Sequence, residues 1–210
     1  MRDTTQEFSA WLNAGGHRVG QVEIQRTGEG WELRHADDAG RDVETFTRWQ
    51  DARAIANADD AGAFRPLKTA PNLRHGWRLA LHDVGEVRRA LDFFYPAMLG
   101  VWLAQRSGQL VPVDLRATLG RQTGMYRITQ KLTDEQAQRI IGAQCRSEGG
   151  CLKIILWRIS SGVPVATLPA EKFNAEDVAP GCLPLLCHEA CNILVAGARK
   201  MVKSEASGKE

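Results

Sequence analysis

Four cysteines in the last third of this 210-residue chain constrain it more than any other feature: Cys145 and Cys151, with five residues between them, then Cys187 and Cys191, with three between them. Two close pairs separated along the chain can bring four thiolates to one point in space. That is the ligand set of an iron–sulfur cubane or of a structural zinc ion. A single cysteine is commonly buried as a small hydrophobe, so the argument for ligands rests on the pairing. The loop inside the first pair also contains Gly149-Gly150, which lets the backbone wrap tightly and turn amide N–H groups toward sulfur. Structural zinc sites usually hold two to four residues inside each pair. The wide first pair therefore favours a [4Fe-4S] cluster and leaves zinc as the alternative. Cys182 stands apart from both pairs and reads as a core or spare thiol.

Five cysteines is an odd count, and their crowding suits a secreted disulfide framework poorly. A reducing, cytoplasmic setting is expected. The N-terminus is polar and acidic where a signal peptide would be apolar, and no stretch approaches the ~20 apolar residues of a membrane span. The 27 basic residues are scattered among 25 acidic ones for a net charge of +2. That distribution offers no field to gather nucleic acid or an anionic membrane surface, so neither is expected as a partner.

The patterning predicts an α+β protein. Glu7 to Leu12 reads as a short helix; Val19 to Gln25 and Trp31 to His35 alternate as strands of a hairpin joined through Gly28-Glu29-Gly30. Asp37 to Gly40 reads as a turn and Thr47 to Ala56 as helical. Phe64 to Leu73 contains two prolines and reads as a linker. Beyond it, Trp77 to Leu81 reads as a strand, Val84 to Phe94 as an amphipathic helix, and Ala97 to Gln105 as a second helix buried on several sides. Thr133 with Gln136 predicts a capping box for a helix reaching about Ala143. Leu152 to Ile159 reads as a buried strand. Pro184 to Val202 reads as a helix with proline in its first turn, which would set Cys187 and Cys191 on one helical face. The tail from Lys203 to Glu210 is expected to be disordered. Two domains are expected: residues 1–70, a small N-terminal α/β-hairpin unit, and residues 71–210, a mainly helical iron–sulfur domain.

Other chemistry is thinly represented. There is no glycine-rich phosphate loop, Gly-x-Ser-x-Gly elbow or dinucleotide fingerprint. His17, His35, His75, His82 and His188 are dispersed and form no ligand-spaced pair, so each reads as a surface residue or a hydrogen-bonder. Arg74, Arg78, Arg121, Arg127 and Lys131 are basic residues able to pair with ligand carboxylates, though long basic chains are mostly solvated. The segment Arg121-Gln122-Thr123-Gly124-Met125-Tyr126-Arg127 mixes two guanidiniums, an aromatic ring and a glycine shortly before the first cysteine pair. Arg121, Tyr126, Arg127 and Lys131 are its candidate ligand-binding residues.

The pattern Cys-x5-Cys followed by Cys-x3-Cys resembles the [4Fe-4S] motif of sulfite and nitrite reductases, in which the cysteine at the position of Cys191 bridges cluster and sirohaem iron. That resemblance spans only Cys145 to Cys191, and the chain is far too short for those enzymes. A broader resemblance is carried by Phe64 to Trp77, Arg121 to Arg127 and Leu185-Leu186-Cys187-His188-Glu189-Ala190-Cys191-Asn192. These runs look like the C-terminal region of multidomain CbiX-like sirohydrochlorin chelatase proteins of the deinococcal type. There a chelatase module precedes a stabilising domain and a [4Fe-4S] domain, and the chelatase module is expected to be missing here. The resemblance implies a cluster-binding redox or accessory protein of sirohaem or cobalamin synthesis, with a chelatase or electron-donor protein and a tetrapyrrole as partners. Two alternatives stand beside it: a structural metal domain for protein–protein contacts, and a cluster-dependent reductase of a bound tetrapyrrole. A chelatase active site within the chain is not expected.

Overall fold

Period-two and period-3.6 patterning alternate through the first half of the chain, and its elements follow them closely. The computed structural model describes residues 4–59, 61, 63, 73–110, 115–120, 124–145, 151, 153–155, 158–160, 163–164, 179–187 and 191–207. Helix α1 (Thr4–Asn13) buries Phe8 and Leu12, one turn apart on a single face. Strands β1 (Arg18–Val19), β2 (Val22–Arg26) and β3 (Trp31–His35) follow as an antiparallel meander. Gly20 makes the tight β1–β2 turn at φ +57°, and a Cβ there would lie 2.7 Å from Leu185 and 2.8 Å from the Tyr95 hydroxyl. Only glycine supplies both the left-handed backbone and the missing volume. The expected Gly28–Gly30 hairpin is present, and a Cβ on Gly30 would collide with the Leu81 carbonyl.

The chain then passes a 3-10 turn at Ala36–Asp38, strand β4 (Glu44–Phe46), a second 3-10 turn at Trp49–Asp51, and helix α2 (Ala52–Asn57). Strand β5 (Trp77–Leu81) is buried at Trp77, Leu79 and Leu81 and exposed between them. Helix α3 (Val84–Phe94) packs against β3, α1 and α2 through Val87, Ala90, Leu91 and Phe94. The Asp83 side chain caps it by accepting the Glu86 N–H. Ala97, left-handed at φ 60°, turns the chain into helix α4 (Met98–Arg106). That helix buries Met98, Leu99 and Trp102, a stripe rather than the several-sided burial expected.

The sheet order is β4-β5-β3-β2-β1-β9, with β9 (Cys182–Leu183) arriving from late in the sequence to pair parallel with β1. One face takes the helices. The other carries a cross-strand charge ladder: Arg34 binds Glu23 at 2.7 Å, and Arg78 approaches Glu32 at 3.7 Å while donating to the Thr45 hydroxyl at 2.9 Å.

This arrangement corrects the expected domain boundary. The chain divides into a unit of Met1–Gln109 with Val178–Leu185 and a unit of Leu110–Asp177 with Leu186–Glu210, not at residue 70. The reason is hydrogen bonding: β5 pairs with both β3 and β4, so cutting before Trp77 would open the middle of a sheet. The first unit is therefore a helix-covered six-stranded sheet rather than a small hairpin unit. The expected linker at Phe64–Leu73 lies almost wholly outside the described residues and connects elements within one unit.

The second unit is built from helix α5 (Leu115–Gly120), a 3-10 segment (Gly124–Lys131), helix α6 (Asp134–Cys145), and helix α7 (Asn192–Ser207). Short strands accompany them: β6 (Ile154–Ile155) pairs parallel with β10 (Leu186–Cys187), and β7 (Arg158–Ser160) pairs antiparallel with β8 (Val163–Pro164). The mixed α+β class is as expected. The single strand expected over Leu152–Ile159 is instead divided between β6 and β7. Two further expectations fail at the C-terminus. Pro184 to Cys187, the described part of the expected helix before Cys191, is not helical, because the apolar run Cys182 to Cys187 is spent on β9 and β10, whose ladders lie with β1 and β6. Helix α7 starts only at Asn192 and continues through Lys203 to Ser207, where a disordered tail was expected.

Candidate metal centre

The site begins with a helix start. Thr133 and Gln136 form the expected capping box: the Gln136 N–H donates to Thr133 Oγ1 at 3.2 Å, and the Thr133 N–H donates to Gln136 Oε1 at 2.8 Å. Two of the helix's orphan donors are thereby satisfied. From that start α6 presents Ala137, Ile141 and Cys145 four residues apart on one buried face, with Ile140 beside them. The same stripe that holds the helix down thus delivers the first sulfur. Cys151 is drawn back toward it, since its N–H donates to the Gln144 carbonyl at 3.3 Å.

The second pair arrives by a different route from the one its spacing suggested. Cys187 sits on β10, in register with Ile155 of β6. Cys191 immediately precedes α7, and its carbonyl accepts the Val195 N–H at 3.0 Å, which makes it the N-cap residue. The two cysteines are therefore not on one helix face.

Three of the four cysteines meet in a single apolar nucleus. Leu115, Leu119, Leu132, Ile140, Ile141 and Cys145 are buried together with Leu194, Val195 and Ala198 of α7, and Cys187 and Cys191 pack against them. None of the five cysteines is in a disulfide. Cys182 is elsewhere: on β9 it pairs with Arg18 and belongs to the first unit.

The candidate basic residues are less concentrated. Arg121 lies outside the described residues. Tyr126 falls in the 3-10 segment that packs against α7, where Arg127 and Lys131 are exposed. Arg74 and Arg78 serve the first unit instead, Arg74 lying 3.8 Å from Glu44 and over the Phe46 ring. Among the histidines, His17 is exposed and His188 lies outside the described residues. His35 and His75, far apart in sequence, stand together with ring centroids 4.0 Å apart. No spacing rule could have found that pair, because β3 and the turn before β5 become neighbours only through sheet pairing.

Two family models divide the chain almost as the structure does. The DR2241 stabilising domain matches residues 4–106, and a 4Fe-4S iron-sulfur cluster binding domain matches residues 107–200. The chain corresponds to the C-terminal region of a DR2241-type protein. Among solved structures it is similar to the 1.9 Å crystal structure of DR2241 from Deinococcus radiodurans, described as a multi-domain protein with structural similarity to chelatases and two additional novel domains. The match has a TM-score of 0.75 at 30% identity and covers 96% of this chain and 42% of that one. This DR2241-type chain thus spans less than half the length of the protein it matches. No curated protein matches it. Among the described residues, no helix is long and apolar enough to cross a membrane.

The cysteines fit the group that the family model names. A cubane needs four thiolates, one per iron. Here Cys145, Cys187 and Cys191 share one nucleus, and Cys151 is tied to the residue preceding Cys145.

Proposed function

We propose that Cys145, Cys151, Cys187 and Cys191 hold a [4Fe-4S] cluster, and that the protein serves as a redox or accessory partner in chelation of sirohydrochlorin or a related tetrapyrrole. The observation that carries the reading is the convergence of Cys145 from α6, Cys187 from β10 and Cys191 from the start of α7 on one apolar nucleus. When bound, such a cluster supplies outer-sphere electron transfer, since four cysteine ligands leave no open position at iron. The surrounding residues have separate tasks. Ile140, Ile141, Leu194 and Val195 are buried in one nucleus with Cys145, against which the half-buried Cys187 and Cys191 pack, and such an apolar surround bears directly on the reduction potential. Arg127 and Lys131, exposed on the segment packed against α7, would meet the carboxylates of a tetrapyrrole or the acidic surface of a chelatase or electron donor.

The test is iron, sulfide and zinc content with a visible spectrum on anaerobically purified protein, beside a Cys187→Ala control. About four irons and four sulfides per chain, lost in the control, are expected for a cubane. One zinc without iron would make this a structural metal domain. No metal after anaerobic reconstitution would overturn the reading. A tetrapyrrole role is read separately: added sirohydrochlorin should bind the wild type and bind the Arg127→Ala, Lys131→Ala double variant more weakly.

A further inference from the structure

We infer that His35, Asp37 and His75 form a second metal site, in the sheet unit and independent of the cysteines, for an exchangeable first-row transition-metal dication. Each residue offers one donor atom, and the three donors lie within 4.8 Å of one another. The elements that assemble them are firmly built. His35 closes β3 in register with Val22 and is only 1% exposed. Its Nδ1 accepts the Asp37 N–H at 3.2 Å, so a metal ion at that nitrogen would take over the one lone pair that this hydrogen bond now uses. Asp37 Oδ2 stands 3.8 Å from the same nitrogen, so the two donors address one volume.

His75 comes from the other side. Its backbone is pinned on both flanks: the Trp77 indole N–H donates to the Arg74 carbonyl at 2.7 Å, and the Gly76 N–H donates to Asp38 Oδ2 at 2.7 Å. Its ring remains 41% exposed and therefore able to turn, as does the Asp37 side chain at 71%. Zinc-like bond lengths of about 2.0–2.2 Å place tetrahedral donors roughly 3.4 Å apart. The two exposed side chains must close by about an ångström onto the fixed His35, which rotamer changes supply at small cost.

Asp38 supplies the argument that this is more than two histidines touching. Its side chain is 1% exposed, and Oδ1 accepts no hydrogen bond among the described residues. That oxygen lies 3.4 Å from His75 Nδ1 and 3.7 Å from Arg41. A ligating imidazole typically gives its other N–H to a carboxylate, which fixes ring orientation and raises basicity. Asp38 is positioned for that role, leaving His75 Nε2 for the metal. Asp38 is thus a positioning residue, and the ligands are His35, Asp37 and His75.

The donor set selects the ion. Two imidazoles and one carboxylate suit zinc, cobalt, nickel or ferrous iron, whereas calcium and magnesium prefer all-oxygen shells. Three protein ligands leave a coordination position for water or a second donor, unlike a closed structural site. With two of its three ligands exposed, the ion is held for exchange rather than to fasten the fold.

The experiment is a cobalt(II) titration of the full chain, with and without the cluster reconstituted, read by visible absorption. Cobalt in a nitrogen–oxygen site gives ligand-field bands without thiolate-to-cobalt charge transfer, so this site and the cysteines are told apart in the same spectrum. The wild type is expected to bind one cobalt with the nitrogen–oxygen signature. His75→Ala and Asp37→Ala, both at exposed side chains, should each weaken that binding at least tenfold while leaving the far-ultraviolet circular dichroism and iron content unchanged. Absence of the nitrogen–oxygen bands in the wild type overturns the site, as does their persistence at unchanged affinity in both variants. If His75→Ala should disturb folding, Asp37→Ala alone decides, because its side chain makes no contribution to the core.

Discussion

The two units solve the problem of making a core differently. The sheet unit fills its interior with large apolar side chains: Phe8, Leu33, Ile55, Trp77, Leu79 and Tyr95 are each at most 1% exposed. Burial of such residues contributes about 1.5–3 kcal/mol apiece, and a continuous hydrogen-bonded ladder runs beneath them. The cysteine unit has strands of two or three residues and a nucleus in which Cys145, Cys187 and Cys191 occupy positions that Leu or Ile would fill elsewhere. Thiols bury little area, and two-residue strands hold little register. The contrast suggests one unit stable on its packing alone and another whose stability is completed by what its sulfurs bind.

The most severe test of that contrast is Cys187→Ala. Full loss of the cluster is expected, and with it loss of amide-exchange protection across α6 and α7, while β2, β3 and β5 keep theirs. Equal loss in both units would break the comparison. Next in size is Trp77→Ala, which removes a fully buried ring stacked on Phe94 at 4.9 Å. A cost of about 3–5 kcal/mol is expected, measured by denaturant unfolding of the sheet unit, with iron content per folded chain unchanged.

Tyr95→Phe probes the same core through its one polar handle. The Tyr95 hydroxyl accepts the Gln21 N–H at 3.0 Å, and burial pushes its pKa up to about 12. Because the folded-state value is raised above the ordinary value near 10, the folded state keeps its proton where the unfolded chain loses it. The stability this represents is present below pH 10 and is lost as pH rises through about 12. Tyr95→Phe should cost about 1–2 kcal/mol at neutral pH, by stranding the Gln21 N–H, and should remove that part of the alkaline decline in a pH series of unfolding midpoints. The smallest effect belongs to Thr133→Ala in the cysteine unit. Losing half of the capping box should cost about 1 kcal/mol and be visible in the metal-free protein, where no cluster masks it. If it matters equally with and without metal, the claim that the cluster completes this unit is weakened.

Local patterning was legible wherever one element decided its own fate. Trp77–Leu81 and Val84–Phe94 form a strand and a helix with the predicted bounds, since alternation and a 3.6 period with an Asp cap leave few alternatives. The Thr133–Gln136 box was readable because both partners lie within one turn. The sequence also proposed the cysteine ligand set, with four thiols in two pairs. Cys182 to Cys187 departs from its pattern, because an apolar run of that length is equally good as part of a buried helix or as two short strands. The choice fell to β1 and β6, which pair with it from distant parts of the chain. The boundary at Gln109 was invisible for the same reason: a Pro-rich stretch looks like a linker whether or not the next strand returns to the same sheet.

By itself, then, the sequence determined the α+β class, the elements with strong period and local caps, and the thiol chemistry available near the C-terminus. Tertiary structure alone decided that Cys187 lies on a strand and Cys191 at a helix N-cap, that Cys182 belongs to the other unit, and that His35 meets His75 beside a buried Asp38. The physical reason is that pattern and capping act over one or two turns of chain, whereas strand pairing satisfies backbone N–H and C=O groups with whichever distant segment supplies them.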